Sequence, residues 1–162
     1  MNPLTLAFWI KIATTILCGG VIGLERQLRG KPAGIRTSIL ICMGTYAYVN
    51  LAASIDGVTD QSRVLSQVVT GVGFIGAGVI MSKNGPNEGA VIGVTSAAII
   101  WMLAAIGATI GLDRPDAAIA LTFVTVAVLL GVELLETSFL RLRRGSHSRY
   151  HQDNHHPPQE KT

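Results

Sequence analysis

The sequence predicts an all-α membrane protein, a bundle of five transmembrane helices with its N-terminus outside and its C-terminus in the cytoplasm. Of the 162 residues, 49% are hydrophobic and only 14% are charged, whereas a soluble domain carries about 25% charged residues. Long apolar runs follow one another closely, and basic residues concentrate in alternate loops. A water-soluble fold of this length has too small a core to bury several apolar runs of about 20 residues.

The five apolar runs are long enough, or nearly so, to cross a hydrocarbon core of about 30 Å at about 1.5 Å per residue. They are continuous rather than alternating, which favours helices over strands. One such run also fits a buried helix of a soluble protein, but five in succession favour a membrane. The predicted spans are residues 4–24, 35–55, 64–81, 90–112 and 117–135.

The first run contains one charge, Lys11. Ten Leu, Ile, Val or Phe residues share the segment, at about −0.3 to −0.6 kcal/mol each against about +3 kcal/mol for a central lysine. Insertion is therefore favourable, and the lysine side chain can extend toward the interface. The run lacks a basic leading region and is too long for a signal peptide, so we expect a retained first helix.

The distribution of lysine and arginine predicts the orientation, because cytoplasmic loops are enriched in both residues. With the N-terminus outside, two arginines lie outside, Arg63 and Arg114. The basic residues predicted inside are Arg26, Arg29, Lys31, Arg36, Lys83, Arg141, Arg143, Arg144, Arg149 and Lys161. The outer loops carry Asp56, Asp60, Asp113 and Asp116. The basic pI of about 9.1 thus reflects topology, and no nucleic-acid partner is predicted.

Two regions are predicted, a transmembrane domain at 1–137 and a polar, disordered cytoplasmic tail at 138–162. The tail contains all four histidines: His147, His151, His155 and His156. Histidine-rich tracts can bind metal, but a segment with so little to bury is more typical of a solvated tail.

Close packing of helices in lipid depends on small residues. The glycine pattern is richest in the third helix, which we therefore expect at the centre of the bundle. The predicted packing positions are Gly19, Gly23, Gly71, Gly73, Gly76, Gly78, Gly93, Gly107 and Gly111. Cys18 and Cys42 are predicted to be small packing residues, since neither has the spacing of a metal ligand.

The cytoplasmic hairpin at 25–36 is the most densely charged part of the predicted domain. Glu25 and Arg26 lie where the first helix ends and Arg36 where the second begins, so opposite charges can pair across the hairpin. The alternative is that the basic residues only fix the loop inside.

The third helix carries a stripe at helical spacing that leads from polar residues to a glycine groove and runs through Asp60, Arg63, Gln67, Gly71, Phe74 and Gly78. Gln67 is predicted to be buried, and it is a functional candidate because polar groups inside a membrane need partners or water. The alternative is an interhelical hydrogen bond, worth about 0.6 kcal/mol on average. Thr70, Thr95 and Ser96 are candidates for the same interior, and the alternative, which is favoured, is that each bonds back to its own helix.

No nucleophile–base pair, P-loop, HExxH or CxxC motif is present in the sequence. We therefore predict no enzymatic activity and no resident cofactor. Mg²⁺ is considered a possible ligand or signal, with Asp60 as a weak metal candidate.

Four ordered motifs resemble the MgtC/SapB family. They are GVIGLERQ at 20–27, KPAGIRT at 31–37, QVVTGVGFIGAGVI at 67–80, and TSAA at 95–98 followed by Trp101 and AAIG at 104–107. The motifs and the polar stripe together supply the candidate functional residues, which are Glu25, Arg26, Lys31, Arg36, Thr37, Asp60, Arg63, Gln67, Thr95, Ser96 and Trp101.

The resemblance implies a multi-pass protein of the bacterial inner membrane that is linked to growth at low magnesium. Two differences stand out: virulence-associated members have Asn-Thr where this chain has Thr95-Ser96, and Cys where it has Met102. The resemblance also implies a regulator that binds another membrane complex, such as F-type ATP synthase, and a homo-oligomer is a further possibility for its assembly. The alternative is a small Mg²⁺ or other cation transporter or channel.

Overall fold

The computed structural model describes residues 4–53, 61–82 and 91–147, and within these ranges the protein has the five predicted helices. A short antiparallel hairpin of two strands lies between the third and fourth helices. In chain order the elements are α1 (Leu6–Leu28), α2 (Ile35–Ala53), α3 (Gln61–Gly78), β1 (Met81–Ser82), β2 (Val91–Ile92), α4 (Val94–Gly111) and α5 (Pro115–His147).

Turn residues set the helix boundaries. After α1, Gly30 adopts a left-handed φ of 61°, which glycine does at little cost at a helix C-terminus. Between α4 and α5, Asp113 has a φ of 66°, and Pro115 is the first residue of α5. Proline favours that position because its fixed φ suits a helix and its missing N–H has no helical acceptor there.

The hairpin replaces helix where the predicted third and fourth spans extend too far. Met81 pairs with Ile92 and Ser82 with Val91. The third helix therefore ends at Gly78 and the fourth begins at Val94, rather than at residues 81 and 90. Valine and isoleucine on both sides of the gap favour extended backbone, a local preference that the hydropathy of the segment conceals.

Contacts divide the chain into two units, Met1–Val126 and Ala127–Thr162. The first contains α1 to α4, the hairpin and the start of α5. The described part of the second is the continuation of α5 to His147. Helical backbone thus occupies 138–147, part of the segment predicted to be a disordered tail, and the remaining tail lies outside the described residues.

Among α1 to α4 in the first unit, α4 is the most buried helix, and it contacts α1, α2 and α3. Ten of its 18 residues are buried, whereas α3 buries only Val72 and Gly76. The prediction that the third helix lies at the centre is therefore wrong. Glycines permit close packing but do not require it, and α4 also offers its neighbours large apolar side chains such as Leu103 and Ile106, which are fully buried.

Both cysteines belong to this core, as predicted. Cys18 and Cys42 have no exposed surface, and the Cys42 thiol donates a hydrogen bond to the Leu103 carbonyl at 3.1 Å. That bond joins α2 to α4 and satisfies a weak donor that packing has removed from solvent.

Much of the protein surface is apolar. Phe74 is 83% exposed, and Leu40, Trp101 and Phe123 are each more than half exposed. Three helical segments are long and apolar enough to cross a membrane: Leu6–Leu28, Val94–Gly111 and Pro115–Val132. So much exposed apolar surface is typical of a protein that hydrocarbon surrounds.

Candidate functional site

The end of α1 and the start of α4 meet at four polar side chains, which we call the buried polar cluster: Glu25, Arg26, Arg29 and Ser96. Arg26 donates a hydrogen bond from Nη2 to the Ser96 Oγ at 2.7 Å. Arg26 is 4% exposed and Ser96 3% exposed. A guanidinium this deeply buried is uncommon and needs several acceptors.

Two glycines bring the end of α1 against α2. A Cβ at Gly23 would lie 2.6 Å from the Ile35 Cα, and one at Gly19 would lie 2.9 Å from the Ile39 Cα. Both distances are below any normal carbon–carbon contact, so only glycine allows this approach. The close contact fixes the helical turn on which Arg26 lies.

Hydrogen bonds also hold the hairpin that follows. The Lys31 N–H donates to the Arg26 carbonyl at 2.9 Å, and the Ser38 hydroxyl donates to the Ala33 carbonyl at 2.8 Å. Ala33 has a positive φ of 63°, a conformation that alanine rarely adopts. The backbone of the hairpin is therefore tied to both helices.

The other side of the cluster depends on Gly93, which precedes α4. Gly93 has a φ of 92°, and a Cβ at this position would collide with the Val79 carbonyl oxygen. Glycine is needed here both for the backbone conformation and for the contact. The first turn of α4, including Ser96, is held against the chain that leaves α3.

The cluster contains an excess positive charge. The Glu25 carboxylate pairs with the Arg29 guanidinium at 2.5 Å, and the Glu25 side chain is only 9% exposed. Among the described residues, Glu25 Oε2 and Arg26 Nε have no hydrogen-bond partner. The cluster thus contains two guanidinium groups and one carboxylate. The carboxylate pairs with Arg29, and Arg26 has a neutral hydroxyl as its partner. Unsatisfied buried groups of this kind are destabilising.

The ion pair differs from the one predicted. Glu25 pairs along its own helix with Arg29, not across the hairpin with Arg36, which is exposed. Lys31 and Thr37 are also exposed. The bond between Arg26 and Ser96 was not anticipated, because for Ser96 a bond back to its own helix was favoured.

The predicted polar stripe of α3 lies along a groove between α2 and α3. The groove has a volume of about 750 Å³, and Arg63, Gln67 and Gly71 line its α3 side. Gln67 is exposed rather than buried, since the groove is open and no helix of the described residues covers this face. Asp60, the weak metal candidate, lies outside the described residues.

Thr95 and Trp101 lie away from the buried polar cluster. Thr95 is exposed, and Trp101 is 52% exposed beside a second cavity, of about 290 Å³, between α3 and α4. Thr70 bonds back to the Ser66 carbonyl at 3.0 Å, as its helical position favours.

The glycines predicted to pack helices fall into three groups. Gly107 and Gly111 of α4 approach α2 so closely that a Cβ would collide with the Cys42 carbonyl oxygen or lie 2.8 Å from the Val49 Cβ. Gly76 makes ordinary contact with Ala97. A Cβ at the remaining three would meet open space, within the part of the chain that the structure describes: Gly71, Gly73 and Gly78.

An ion pair in the first unit was not predicted from the sequence. The Lys11 Nζ lies 3.0 Å from Asp113 Oδ1 in the turn between α4 and α5. Lys11 is 17% exposed and Asp113 77% exposed. The signal was present, since a lysine inside an apolar helix normally has a partner, but nothing in the spacing identifies which aspartate it is.

Metal-binding residues do not cluster in the described ranges. Within 4–53, 61–82 and 91–147, no three His, Cys, Asp or Glu side chains come together in a way that could hold a metal ion. The buried polar cluster offers one carboxylate beside two guanidinium groups, and this charge balance does not favour a cation.

Comparison with known proteins agrees with the resemblance. Residues 12–138 match the MgtC family. The YhiD protein of Escherichia coli (strain K12) is 42% identical over 134 residues, which cover 78% of this chain and 60% of YhiD. Protein MgtC of Brucella abortus (strain 2308) is 38% identical over 137 residues, 83% of this chain and 56% of the relative.

Protein SrpB of Synechococcus elongatus is 37% identical over 136 residues, 78% of this chain and 75% of SrpB. The chain therefore spans about 60% or less of the length of the YhiD and MgtC relatives. No solved structure matches it. The family match and the relatives confirm the resemblance, and the chain belongs to the MgtC family.

Proposed function

We propose that this protein is a regulator of magnesium homeostasis that acts by binding another membrane protein through an exposed face of α3. We call this the α3 outer face and define it by Gly71, Phe74 and Gly78. The observation that carries the proposal is the openness of this face, which contrasts with the tight packing of the glycines in α1 and α4.

The α3 outer face has the composition of a helix–helix contact. Gly71 and Gly78 are two turns apart, with Phe74 between them on the same side of the helix. A Cβ at either glycine would meet open space, and Phe74 is 83% exposed. In lipid there is little hydrophobic gain from association, so small residues that allow backbones to approach are the usual basis of binding. A transmembrane helix of a partner protein fits such a face.

The membrane arrangement is part of the same proposal. All five helices cross the bacterial inner membrane, with the N-terminus outside. Besides the three segments that are long and apolar enough, α2 and α3 contain 19 and 18 residues, about the length needed to cross. The asymmetry of lysine and arginine supports the orientation.

The link to magnesium comes from the relatives. The name given to YhiD refers to magnesium transport, and the family resemblance implies a role at low magnesium. Regulation is favoured here over transport, because no carboxylate lines the groove between α2 and α3 among the described residues and Arg63 lies in it. F-type ATP synthase is a candidate partner.

Affinity purification from native membranes tests the proposal. Tagged protein should recover a membrane partner, with a different yield under magnesium limitation, and Gly71→Leu or Gly78→Leu should reduce that recovery severalfold. Gly131→Leu in α5 is the matched control, since a Cβ at Gly131 also meets open space. Recovery of the protein alone contradicts the regulatory proposal, and recovery of a second copy alone replaces it with a homo-oligomer.

A cation carrier is the second candidate, favoured by the polar residues along the groove and by the name of the YhiD relative. Purified protein in liposomes would decide between them. Mg²⁺ flux above that of empty vesicles, reduced by Asp60→Asn, supports a carrier. Flux equal to that of empty vesicles rules it out.

A further inference from the structure

We propose that the buried polar cluster, together with the first turn of α4, binds a phosphate group, either of a phospholipid headgroup or of free phosphate. No acidic side chain of the described residues forms a salt bridge with Arg26, and its Nε has no hydrogen-bond partner among them. The inference is independent of the α3 outer face.

The positive charge of Arg26 is buried. Arg26 is 4% exposed, and the one hydrogen bond that its side chain makes among the described residues goes to a neutral hydroxyl. The neighbouring Glu25 carboxylate pairs with Arg29 through Oε1 at 2.5 Å, and its Oε2 has no hydrogen-bond partner among the described residues. A buried guanidinium is stable when an anion shares its site, and a phosphate oxygen is the acceptor that its planar donors fit best.

The donors come from two elements. Arg26 Nε has no acceptor among the described residues. Ser96 Oγ accepts from Arg26, so its own O–H remains able to donate. Arg26 on α1 and Ser96 on α4 can therefore each donate a hydrogen bond to a ligand.

The start of α4 adds backbone donors. Gly93 has no side chain to cap the helix, and the first helical bond runs from the Ala97 N–H to the Gly93 carbonyl at 2.9 Å. The N–H groups of the residues between them precede this bond and have no acceptor within the helix. An 18-residue helix also carries a partial positive charge of about half a unit at this end, and phosphate binds readily at such ends.

The first turn of α4 is accessible. Val94 is 56% exposed and Thr95 is exposed, and Ser96 in the same turn accepts the hydrogen bond from Arg26. This arrangement suits a small oxyanion.

The test uses the full chain, purified and stripped of lipid in a neutral detergent. One arm titrates inorganic phosphate, and the other titrates short-chain phosphatidylglycerol, each against sodium chloride at equal ionic strength, by calorimetry. Saturable binding is expected in at least one arm. Binding of phosphate in solution identifies a solute site, and binding of the phospholipid alone identifies a headgroup site.

Variants assign the binding to the cluster. Arg26→Gln and Ser96→Ala should each weaken the affinity about tenfold or more, the expected effect of losing one charged hydrogen bond. Arg36→Gln is the matched control: it removes the same charge from an exposed position in the same hairpin, and it should change the affinity less than about threefold.

Two results overturn the proposal. One is the absence of saturable binding in both arms. The other is unchanged affinity in a folded Arg26→Gln or Ser96→Ala protein, with folding checked by circular dichroism and gel filtration. If Arg26→Gln fails to fold, Ser96→Ala decides the matter, because Ser96 is smaller and its replacement leaves the volume of the site nearly unchanged.

Discussion

Arg26 of α1 donates a hydrogen bond to Ser96 of α4 across 2.7 Å, although 70 positions separate the two residues in the sequence. The bond joins the end of α1, beside the charged hairpin, to the first turn of α4. Both partners are almost completely buried, so water cannot replace either of them.

Replacing Ser96 by alanine should destabilise the protein by about 1–3 kcal/mol, because Arg26 then loses the acceptor of a buried charged donor. Thr95→Ala is the control, since Thr95 is exposed one residue away, and it should change the free energy of unfolding by less than about 0.5 kcal/mol. Reversible unfolding in mixed micelles, followed by circular dichroism, measures both. Equal stability of the two variants would contradict the structural role of the bond.

Gly23→Ala should destabilise the packing of α1 against α2 by about 1–3 kcal/mol, since the new Cβ would lie 2.6 Å from the Ile35 Cα. Gly20→Ala provides the comparison, because the nearest atom to its Cβ is Ile39 Cδ1 at 3.8 Å. That variant should be neutral or slightly stabilising, as alanine favours helix over glycine. Thermal unfolding of both proteins in one detergent tests the prediction, which fails if Gly20→Ala is the less stable.

The variants Gly93→Ala and Gly30→Ala distinguish the cost of backbone strain from the cost of a steric clash. Both glycines have positive φ, so each alanine should cost about 1–2 kcal/mol of backbone strain. Gly93→Ala also brings its Cβ onto the Val79 carbonyl oxygen, whereas a Cβ at Gly30 meets open space. We therefore expect a clearly larger loss of stability for Gly93→Ala in the same unfolding measurement. Similar losses would show that the contact between Gly93 and Val79 is unimportant.

Asp113→Asn should weaken the pairing with Lys11, which lies 3.0 Å away. Asparagine tolerates the positive φ of position 113, so the change mainly removes charge. Because Asp113 is 77% exposed, the expected loss is small, up to about 1 kcal/mol, and it should shrink as salt is added.

A double-mutant cycle with Lys11→Met isolates the coupling between the two side chains. Asp116→Asn is the control, since Asp116 and Arg114 are 3.9 Å apart and both exposed. A coupling energy near zero at low salt would show that Lys11 and Asp113 do not interact in solution.

The sequence predicts the number of helices well, because hydrocarbon imposes a minimum length that apolar runs reveal directly. It does not predict which helix is central. A membrane helix meets apolar atoms on every side, so the exposed Phe74 and the buried Leu103 have similar sequence patterns around them. Composition alone therefore misplaced α3.

The residues of the candidate site were predicted from the sequence, but their hydrogen-bond and ion-pair partners were not. Glu25, Arg26 and Ser96 were all identified, yet the partner of each was assigned to the wrong place or left open. A hydrogen bond between residues 70 positions apart depends on how α1 and α4 are positioned, which involves the contact of Gly23 with α2 and the contact of Gly93 with Val79. No spacing rule along the chain contains this information.

The burial of both native thiols has a practical consequence for mapping this protein in cells. Water-soluble maleimides react with accessible thiolates, and Cys18 and Cys42 have no exposed surface. A single cysteine introduced into a loop should thus be labelled against a silent background, without prior replacement of the natural pair. Labelling from one side of the membrane can then report which loops lie on that side.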